Sequence, residues 1–317
     1  MSAPETASSP PPGTSAADWP PLDLDAWHDT YQALHLRTQI VGKTRLALSP
    51  MENHWWQVAF YLTARGLTTS PMPAGGRTLE VELDFIAHQL LLRTSEGEER
   101  AIGLRGESVA DFYHSYVAAL RELGVEAHIW PVPTEMETAV PFPELREPAP
   151  YDGDAAQRCW RALAQADRLL KRFRGRFLGK CSPVHFWWGG FDLACTRFSG
   201  ARAPEHPGGI PHLADWVTRE AYSHACISAG WWPGTRGRLA EPAFYAYAYP
   251  EPAGCPEAVV RPAAAYYHPE LREWILPWDA VRAVADPDAA VADFLQSTYE
   301  AAATLGRWDR AALERAT

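Results

Sequence analysis

His185 and Asp192 are the two residues of this chain whose types and spacing best suit chemistry. A histidine held by an aspartate is the usual arrangement of a general base, or of a ligand with a fixed tautomer. In an undisturbed strand, side chains an odd number of positions apart point to opposite faces. Glycines inside strands often mark bulges, so one extra residue at Gly189-Gly190 would bring both side chains to one face. The alternative is an unrelated strand histidine and a carboxylate that pairs with an arginine such as Arg197.

A later part of the chain offers residues that could bind a metal. Asp215 or Thr218 could cap a helix that runs to Gly230, which would place Glu220 and His224 on one face. Nitrogen and oxygen donors of this kind suit zinc or iron, but no recognised spacing such as His-Glu-x-x-His is present. The donors in question are His185, Asp192, His206, His212, Glu220 and His224. Scattered histidines are more often structural, so we assign no metal ligand, and the sequence names no cofactor.

Two functions of different classes fit these residues. The first is a small-molecule enzyme in which His185 acts as base, Asp192 orients it and His224 assists. The residues expected to contact its substrate are Arg197, Tyr222, Trp187, Tyr247 and His206. The second is a non-catalytic ligand-binding or assembly module whose aromatic residues bind a flat ligand or another subunit. The sequence leaves open whether the protein is an enzyme, and whether it forms a homo-oligomer.

Strings that recur along the chain predict the elements that position these residues. Three short strings appear twice in the same order, which is typical of an internal duplication. They are Gly42-Lys43 with Gly179-Lys180, Trp55-Trp56 with Trp187-Trp188, and Val109–Phe112 with Val291–Phe294. We therefore predict an α+β protein of two pseudo-symmetric repeats, each with a helix, an antiparallel sheet of roughly four or five strands and a closing helix.

The repeats are expected to pack as one body, because each sheet has one apolar face to bury. The predicted division is a disordered tail at 1–19, a first repeat at 20–130, a Pro-rich linker at 131–153, and a second repeat at 154–317 with an insertion at 199–238. Insertions in loops tolerate new chemistry better than core elements do, which favours the second repeat as the site.

Apolar periodicity predicts the individual elements. The expected helices are Leu24–Ile40, ended by Gly42, then Glu107–Gly124 and Asp154–Phe177. The expected strands are Thr44–Leu48, Trp56–Leu62, Leu79–Phe85, Leu90–Thr94, Ala101–Leu104, Val125–Trp130 and Phe244–Tyr249, with others from Val184 onward. The carboxylates of Glu80, Glu82 and Asp84 alternate with apolar residues, which indicates a solvated strand face rather than a catalytic cluster.

The two repeats differ where the chemistry is expected. Gly189-Gly190 and Asp192 stand where the first repeat has Gln57-Val58 and Phe60. Two deleted side chains make room for something, and a carboxylate in place of an apolar residue needs a partner if it is buried. The strand 244–249 carries three tyrosines on one face, which we expect to be covered by the insertion or by a ligand.

Composition excludes several classes of protein. The chain has 317 residues, 47% of them hydrophobic and 21% charged, as is ordinary for globular proteins. A net charge of −10 argues against nucleic-acid binding, which depends on clustered Lys and Arg. No apolar run approaches the roughly 20 residues needed to span a bilayer. Five cysteines without a Cys-x-x-Cys pair fit reduced thiols in a cytoplasmic protein.

Several longer strings resemble an uncharacterised bacterial family known only as a domain of unknown function. They are Leu34–Lys43, Asn53–Trp56, Thr63–Ser70, Ser182–Phe186, His206–Gly209 and Ala243–Pro252. The similarity extends from about Trp19 to the C-terminal helix. The resemblance implies a cytoplasmic bacterial protein, and it transfers no activity, cofactor or catalytic residue.

Overall fold

Two antiparallel sheets and seven helices make up the part of the chain that the computed structural model describes, residues 18–137 and 139–315. The helices are α1 (Leu24–Leu48), α2 (Val109–Glu122), α3 (Gly153–Gly175), α4 (Asp215–Ala221), α5 (Trp278–Arg282), α6 (Pro287–Leu305) and α7 (Arg310–Leu313), with 3-10 turns at Asn53–Val58 and Phe142–Glu144. The tail expected at 1–19 lies outside these residues except for its last two positions.

Each sheet has six strands. The first contains β1 (Tyr61–Leu62), β2 (Gly66–Thr68), β3 (Met72–Ala74), β4 (Arg77–Asp84), β5 (Gln89–Thr94) and β6 (Glu99–Gly103), in the order β1-β2-β4-β5-β6 with β3 also beside β4. The second contains β7 (His185–Trp187), β8 (Asp192–Arg202), β9 (His224–Trp232), β10 (Ala243–Tyr249), β11 (Tyr266–His268) and β12 (Glu273–Pro277), in the order β11-β12-β10-β9-β8-β7. The α+β class is confirmed, with more strands in each sheet than predicted.

One apolar core runs through both halves of the chain. Helices α3 and α6 pack on each other and on one face of the second sheet. Phe60 and Phe186 join the two sheets: each backbone N–H donates to the other residue's carbonyl at 2.9 Å, and both side chains are fully buried. None of the helices in the described residues is both long enough and apolar enough to cross a membrane.

The first helix does not end at Gly42, and the strand predicted at Thr44–Leu48 is wrong. Helix α1 continues through that segment to Leu48. A Cβ atom added to Gly42 would lie 2.3 Å from a ring carbon of Trp188, so glycine is required there for close packing. A glycine that serves a tertiary contact and one that stops a helix look the same in a sequence.

Three further predicted elements are wrong. Most of the segment 56–62 is not a strand, because residues 53–58 form a 3-10 turn in which His54 and Trp55 have φ near 60° and 64°. The segment 125–130 has no regular structure. The helix expected to reach Gly230 ends at Ala221, and the chain then enters β9, which pairs on both sides with β8 and β10. Pairing with two neighbours outweighs a local helical pattern.

The duplication stays a prediction. Both strings of the third pair lie in helices, but Val109 is the first residue of α2 whereas Val291 is the fifth residue of α6. The first pair differs, since Gly42 is inside a helix whereas Gly179 lies in a loop. Matched letters in this chain therefore do not always have matched backbone.

Candidate functional site

The second sheet has one face that the helices do not cover. Paired residues on neighbouring antiparallel strands point to the same side. Trp187 pairs with Asp192. Two residues further along β8, Ala194 pairs with Gly230 of β9, which in turn pairs with Tyr245 of β10. We call this side the tyrosine face; it carries Trp187, Asp192, Tyr245 and Tyr247. Glu273 lies on the same face, because it is two residues from Ile275, which pairs with Tyr245.

His185 and Asp192 both lie on the tyrosine face, but no bulge puts them there. Residues 188–191 form the turn of a β7–β8 hairpin, in which His185 pairs with Ala194. The two side chains do not hydrogen-bond to each other. His185 is fully buried with its Nε2 atom 3.2 Å from the Tyr61 hydroxyl, whereas Asp192 accepts a short hydrogen bond from Tyr245. The expected histidine–aspartate pair is thus replaced by two separate pairs with tyrosines.

Gly230 allows Tyr245 to reach Asp192 from two strands away. A Cβ atom on Gly230 would lie 2.6 Å from the Tyr245 hydroxyl oxygen and the same distance from a ring carbon. The tyrosine ring therefore lies across the strand that separates it from the carboxylate. Any side chain at position 230 would push that ring away from Asp192.

Glu135 occupies the space beside the glycine pair. A Cβ atom on Gly189 would lie 2.0 Å from its Oε1 atom. A Cβ atom on Gly190 would lie 2.8 Å from Asp192 Oδ1 and 3.9 Å from Glu135 Oε2. The two missing side chains thus make room for a second carboxylate close to the first.

Helix α1 holds Glu135 in place through its neighbour in the chain. The Gln39 amide donates to the Thr134 carbonyl at 2.9 Å and accepts from the Thr134 N–H at 2.8 Å. The Glu135 N–H donates to the Pro211 carbonyl at 2.9 Å. Glu135 has φ near 60°, which is uncommon for a residue other than glycine and is maintained by these bonds. A segment predicted as linker thus brings a carboxylate to the sheet.

Three carboxyl groups near the tyrosine face have raised pKa values. Loss of hydration raises the pKa of Asp192 to about 6, and the hydrogen bond from Tyr245 opposes that rise. Glu135 is exposed at the surface, yet its carboxylate lies beside Gly189 and Gly190. Loss of hydration and the nearby Asp192 raise its pKa, whereas Lys43 lowers it. Half-buried Glu273 has a pKa raised to about 8 by burial and by Asp192, which Arg238 opposes.

Two basic residues of α1, Lys43 and His35, lie near the glycine turn and the carboxylates. Lys43 is 7% exposed, and burial lowers the pKa of its ammonium to about 8 while the Glu135 carboxylate opposes the shift. The His35 Nε2–H donates to the Gly189 carbonyl at 2.7 Å. Burial lowers the pKa of His35 to about 4, so this imidazole is neutral and fixes the hairpin turn without adding charge.

The other aromatic candidates form a second group on the same face. The hydroxyls of Tyr222 and Tyr247 share a hydrogen bond of 2.7 Å. The His206 ring stacks on Tyr222 with centroids 4.8 Å apart and lies 5.0 Å from the Tyr249 ring. Residues of the segment 199–238 therefore cover this part of the strand 243–249, as one of the two expected coverings had it.

His224 and Arg197 lie apart from Asp192. His224 begins β9 beside His54, with ring centroids 5.7 Å apart, whereas Leu193 pairs at the far end of the same strand, roughly 20 Å away at the usual strand rise. Arg197 points to the opposite side of the sheet, where its guanidinium lies 3.4 Å from the centre of the Phe173 ring. Neither side chain is placed to contact a molecule bound at Asp192.

The described residues contain no group of three or more His, Cys, Asp or Glu arranged to hold a metal ion. A surface pocket of about 390 Å³ lies elsewhere, between the end of β10 and the end of α6. Its one carboxylate, Glu251, is already bound by Tyr267 and Arg272. We therefore centre the candidate site on Asp192 and Glu135.

Reasoning from the sequence missed Glu135, Tyr245 and Glu273 as site residues. The signal for Glu135 was indirect, since the glycine pair indicated a close approach but not the identity of the approaching group. Tyr245 was recognised as part of an aromatic strand face, and its link to Asp192 depends on Gly230. Glu273 lies on a strand that the sequence pattern did not single out.

The raised carboxyl pKa values predict that stability falls as pH rises. The folded chain holds the protons of Asp192 and Glu273 more tightly than the unfolded chain does. Their stabilising contribution is complete below the unfolded pKa values, near pH 4, and is lost as pH rises through about 6 and about 8. Below about pH 6.5 the lowered pKa values of His35 and His185 act in the opposite direction, because only the unfolded chain takes up their protons there. We therefore expect the melting temperature to decline between about pH 6.5 and 8, and Glu273→Gln to reduce that decline. Exposed Glu126→Gln is the control, and equal profiles for both variants would contradict the assignment.

Comparison with known proteins gives one match. A family model described as a family of unknown function, DUF5996, matches residues 19–315. This confirms the resemblance inferred from the sequence strings. No curated protein and no solved structure matches the chain.

Proposed function

We propose that this chain, which belongs to the DUF5996 family of unknown function, is a small-molecule enzyme whose acid–base groups are Asp192 and Glu135. The observation that carries the proposal is the convergence of two carboxylates on a glycine turn. Neither of them forms an ion pair with a described residue. His185, the base expected from the sequence, is buried beside Tyr61. We therefore assign the role of the base to the carboxylates instead.

Two close carboxylates divide acid and base roles because they do not ionise independently. Loss of hydration and, to a smaller extent, the charge on Asp192 raise the pKa of Glu135, so one group retains a proton near neutral pH while the other is ionised. The protonated group can donate to a leaving atom and the ionised group can accept a proton from a nucleophile. Tyr245 would orient Asp192 through its hydrogen bond, as His185 was expected to be oriented by Asp192.

The surrounding side chains suit a small organic substrate. Trp187 lies beside Asp192 on the neighbouring strand, and half-buried Trp232 and Tyr247 belong to the apolar cluster on the same face. Apolar walls with a few converging polar groups are typical of ligand sites. We assign Trp187 and Tyr247 to substrate contact, with Tyr222 and His206 at the edge formed by the insertion.

The sequence also allowed a non-catalytic module, and one observation favours it. Trp216 is 61% exposed and lies against Trp55 with ring centroids 5.0 Å apart. Exposed tryptophans are common where proteins meet partners. This pair lies on the 3-10 turn and α4, so a homo-oligomer formed there would be compatible with turnover at Asp192.

We further propose a reducing, cytoplasmic setting. All five cysteines are free, and four of them are buried. Buried free thiols are typical of proteins that fold without disulfides. We propose no nucleic-acid partner, since the net charge is −10 and such binding depends on clustered positive charge.

Glu135→Gln tests the proposal. We expect wild-type protein to turn over members of a panel of chromogenic esters, glycosides and amides, and the variant to lose about 10²–10⁴-fold in rate, the usual contribution of a general acid or base. Glu137→Gln, two positions along the same exposed loop, is the matched control and should retain full activity. Equal rates for wild type and Glu135→Gln would contradict the proposed role. Panel members that bind without any turnover would favour the module.

A further inference from the structure

Arg45, in the last turn of α1, is a buried cation without a partner. It is 7% exposed, and its Nε and Nη1 atoms are buried without a hydrogen bond. Within the described ranges, 18–137 and 139–315, the side chain forms neither a hydrogen bond nor an ion pair. Its guanidinium carbon lies 5.9 Å from the centre of the Tyr61 ring. Burying a charge in this way is costly unless an opposite charge accompanies it.

The other buried arginines show how this chain normally treats such a group. Arg37 donates to the Arg105 carbonyl at 2.6 Å and forms an ion pair with Glu107 at 3.2 Å. Arg197 donates to the Phe173 carbonyl and lies against that residue's ring. Arg45 has no comparable carbonyl or carboxylate, which sets it apart.

Tyr61 and His185 supply a further free donor beside Arg45. The Tyr61 hydroxyl lies 3.2 Å from His185 Nε2, and the His185 Nδ1 atom is buried without a partner. If the hydroxyl donates to Nε2, the imidazole proton sits on Nδ1 and is free. If Nε2–H donates instead, the hydroxyl hydrogen is free. In both tautomers the pair retains one hydrogen for a ligand.

The charges around this cluster are positive in sum. Burial keeps His185 neutral, and the positive charges of Arg45 and Arg174 act in the same direction. Arg174 is engaged with the Ser182 carbonyl at 2.7 Å. The carboxylate that acts on Arg45 and Tyr61 is Glu52, which is exposed and makes no ion pair with either.

We propose that Arg45, Tyr61 and His185 form a binding site for an oxyanion, a phosphate, sulfate or carboxylate group. The guanidinium offers two adjacent N–H donors, the geometry that suits two oxygens of one anion. The rings of Trp56 and Trp187 lie 5.8 and 5.1 Å from the His185 ring and close the cluster. This inference goes beyond the proposed acid–base function and does not depend on it, because Asp192 takes no part in the site.

Thermal unfolding of the full chain in three oxyanions tests the site. Inorganic phosphate, sulfate and acetate are each compared with potassium chloride at the same ionic strength. We expect at least one of them to raise the melting temperature by about 2–5 °C more than chloride does, since a ligand that binds the folded state stabilises it. Arg45→Met should abolish the difference, and Arg121→Met, at an exposed position on α2, should retain it.

Two further measurements keep the test decisive. Without oxyanion, Arg45→Met should be at least as stable as wild type, because it removes an unpaired buried charge. Should that variant fail to fold, Tyr61→Phe deletes only a hydroxyl. It should weaken the binding of whichever of phosphate, sulfate and acetate stabilises wild type most by about tenfold in isothermal titration. The site is disproved if none of the three anions exceeds chloride in wild type. The site is also disproved if Arg45→Met binds the anion as tightly as wild type does. If Arg45→Met does not fold, the same result with Tyr61→Phe disproves the site.

Discussion

We expect Phe60→Ala to lower the free energy of unfolding by about 3–5 kcal/mol, the usual range for a fully buried aromatic residue. Phe60 is 0% exposed, and its ring lies parallel to that of Phe186 with centroids 6.3 Å apart. Its backbone also forms the bridge between the two sheets. Truncation leaves a cavity where two halves of the core meet, so neither half can close it without moving the other.

Urea denaturation measures this loss. Val259→Ala is the matched control, because it removes apolar atoms from a side chain that is 93% exposed and should change stability by less than about 0.5 kcal/mol. A Phe60→Ala protein as stable as the control would mean that the junction repacks freely. The single core across both halves would then be in doubt.

The sequence predicts elements that depend on local pattern. The alternation of Leu79 and Val81 with charged residues gave β4 almost to its ends. Glu80 and Glu82 are half-buried, and Glu82 pairs with Arg93, but Asp84 is only 2% exposed and pairs with Arg65, so the solvated face does not extend to it. The long helix α3 was likewise recognisable, since Leu169 and Leu170 belong to one apolar stripe. Such patterns predict the element correctly because its buried residues face a single neighbour and recur at one regular spacing.

Elements fixed by distant contacts were not predictable in this way. Gly42 is explained by Trp188, a residue remote in sequence, and nothing near Gly42 distinguishes it from a helix stop. The helical spacing of Glu220 and His224 is real, but the backbone between them changes from helix to strand because β9 is paired on both sides. The local spacing favoured a helix, but the pairing of β9 with two neighbouring strands determined the backbone conformation.

The candidate site combines both kinds of information. Asp192 was singled out because it follows two glycines and because the predicted repeat aligns it with an apolar residue, Phe60. Its partners were not found, because Tyr245 reaches it across a glycine and Glu135 comes from a segment rich in proline. Residues on irregular segments follow no regular spacing that a sequence pattern could reveal. Sequence patterns therefore identify the strands and helices around a site better than they identify all of its residues.

Asp192→Asn separates function from folding, and we expect it to leave stability near the wild-type value. The asparagine amide oxygen can still accept the Tyr245 hydrogen bond. Loss of the charge also relieves the repulsion that raises the pKa of Glu135. Functional carboxylates of this kind are commonly retained at a cost to stability.

Turnover should respond very differently. An amide neither accepts nor donates the proton that the proposed chemistry requires, so Asp192→Asn should reduce the rate on any panel substrate by about 10²–10⁴-fold. Asp293→Asn, at an exposed position on α6, is the matched control for loss of one carboxylate. Melting temperatures measured beside the rates decide the interpretation. If Asp192→Asn unfolds as readily as Phe60→Ala, the carboxylate is a structural partner of Tyr245, because a catalytic group can be lost without loss of the fold whereas a core contact cannot.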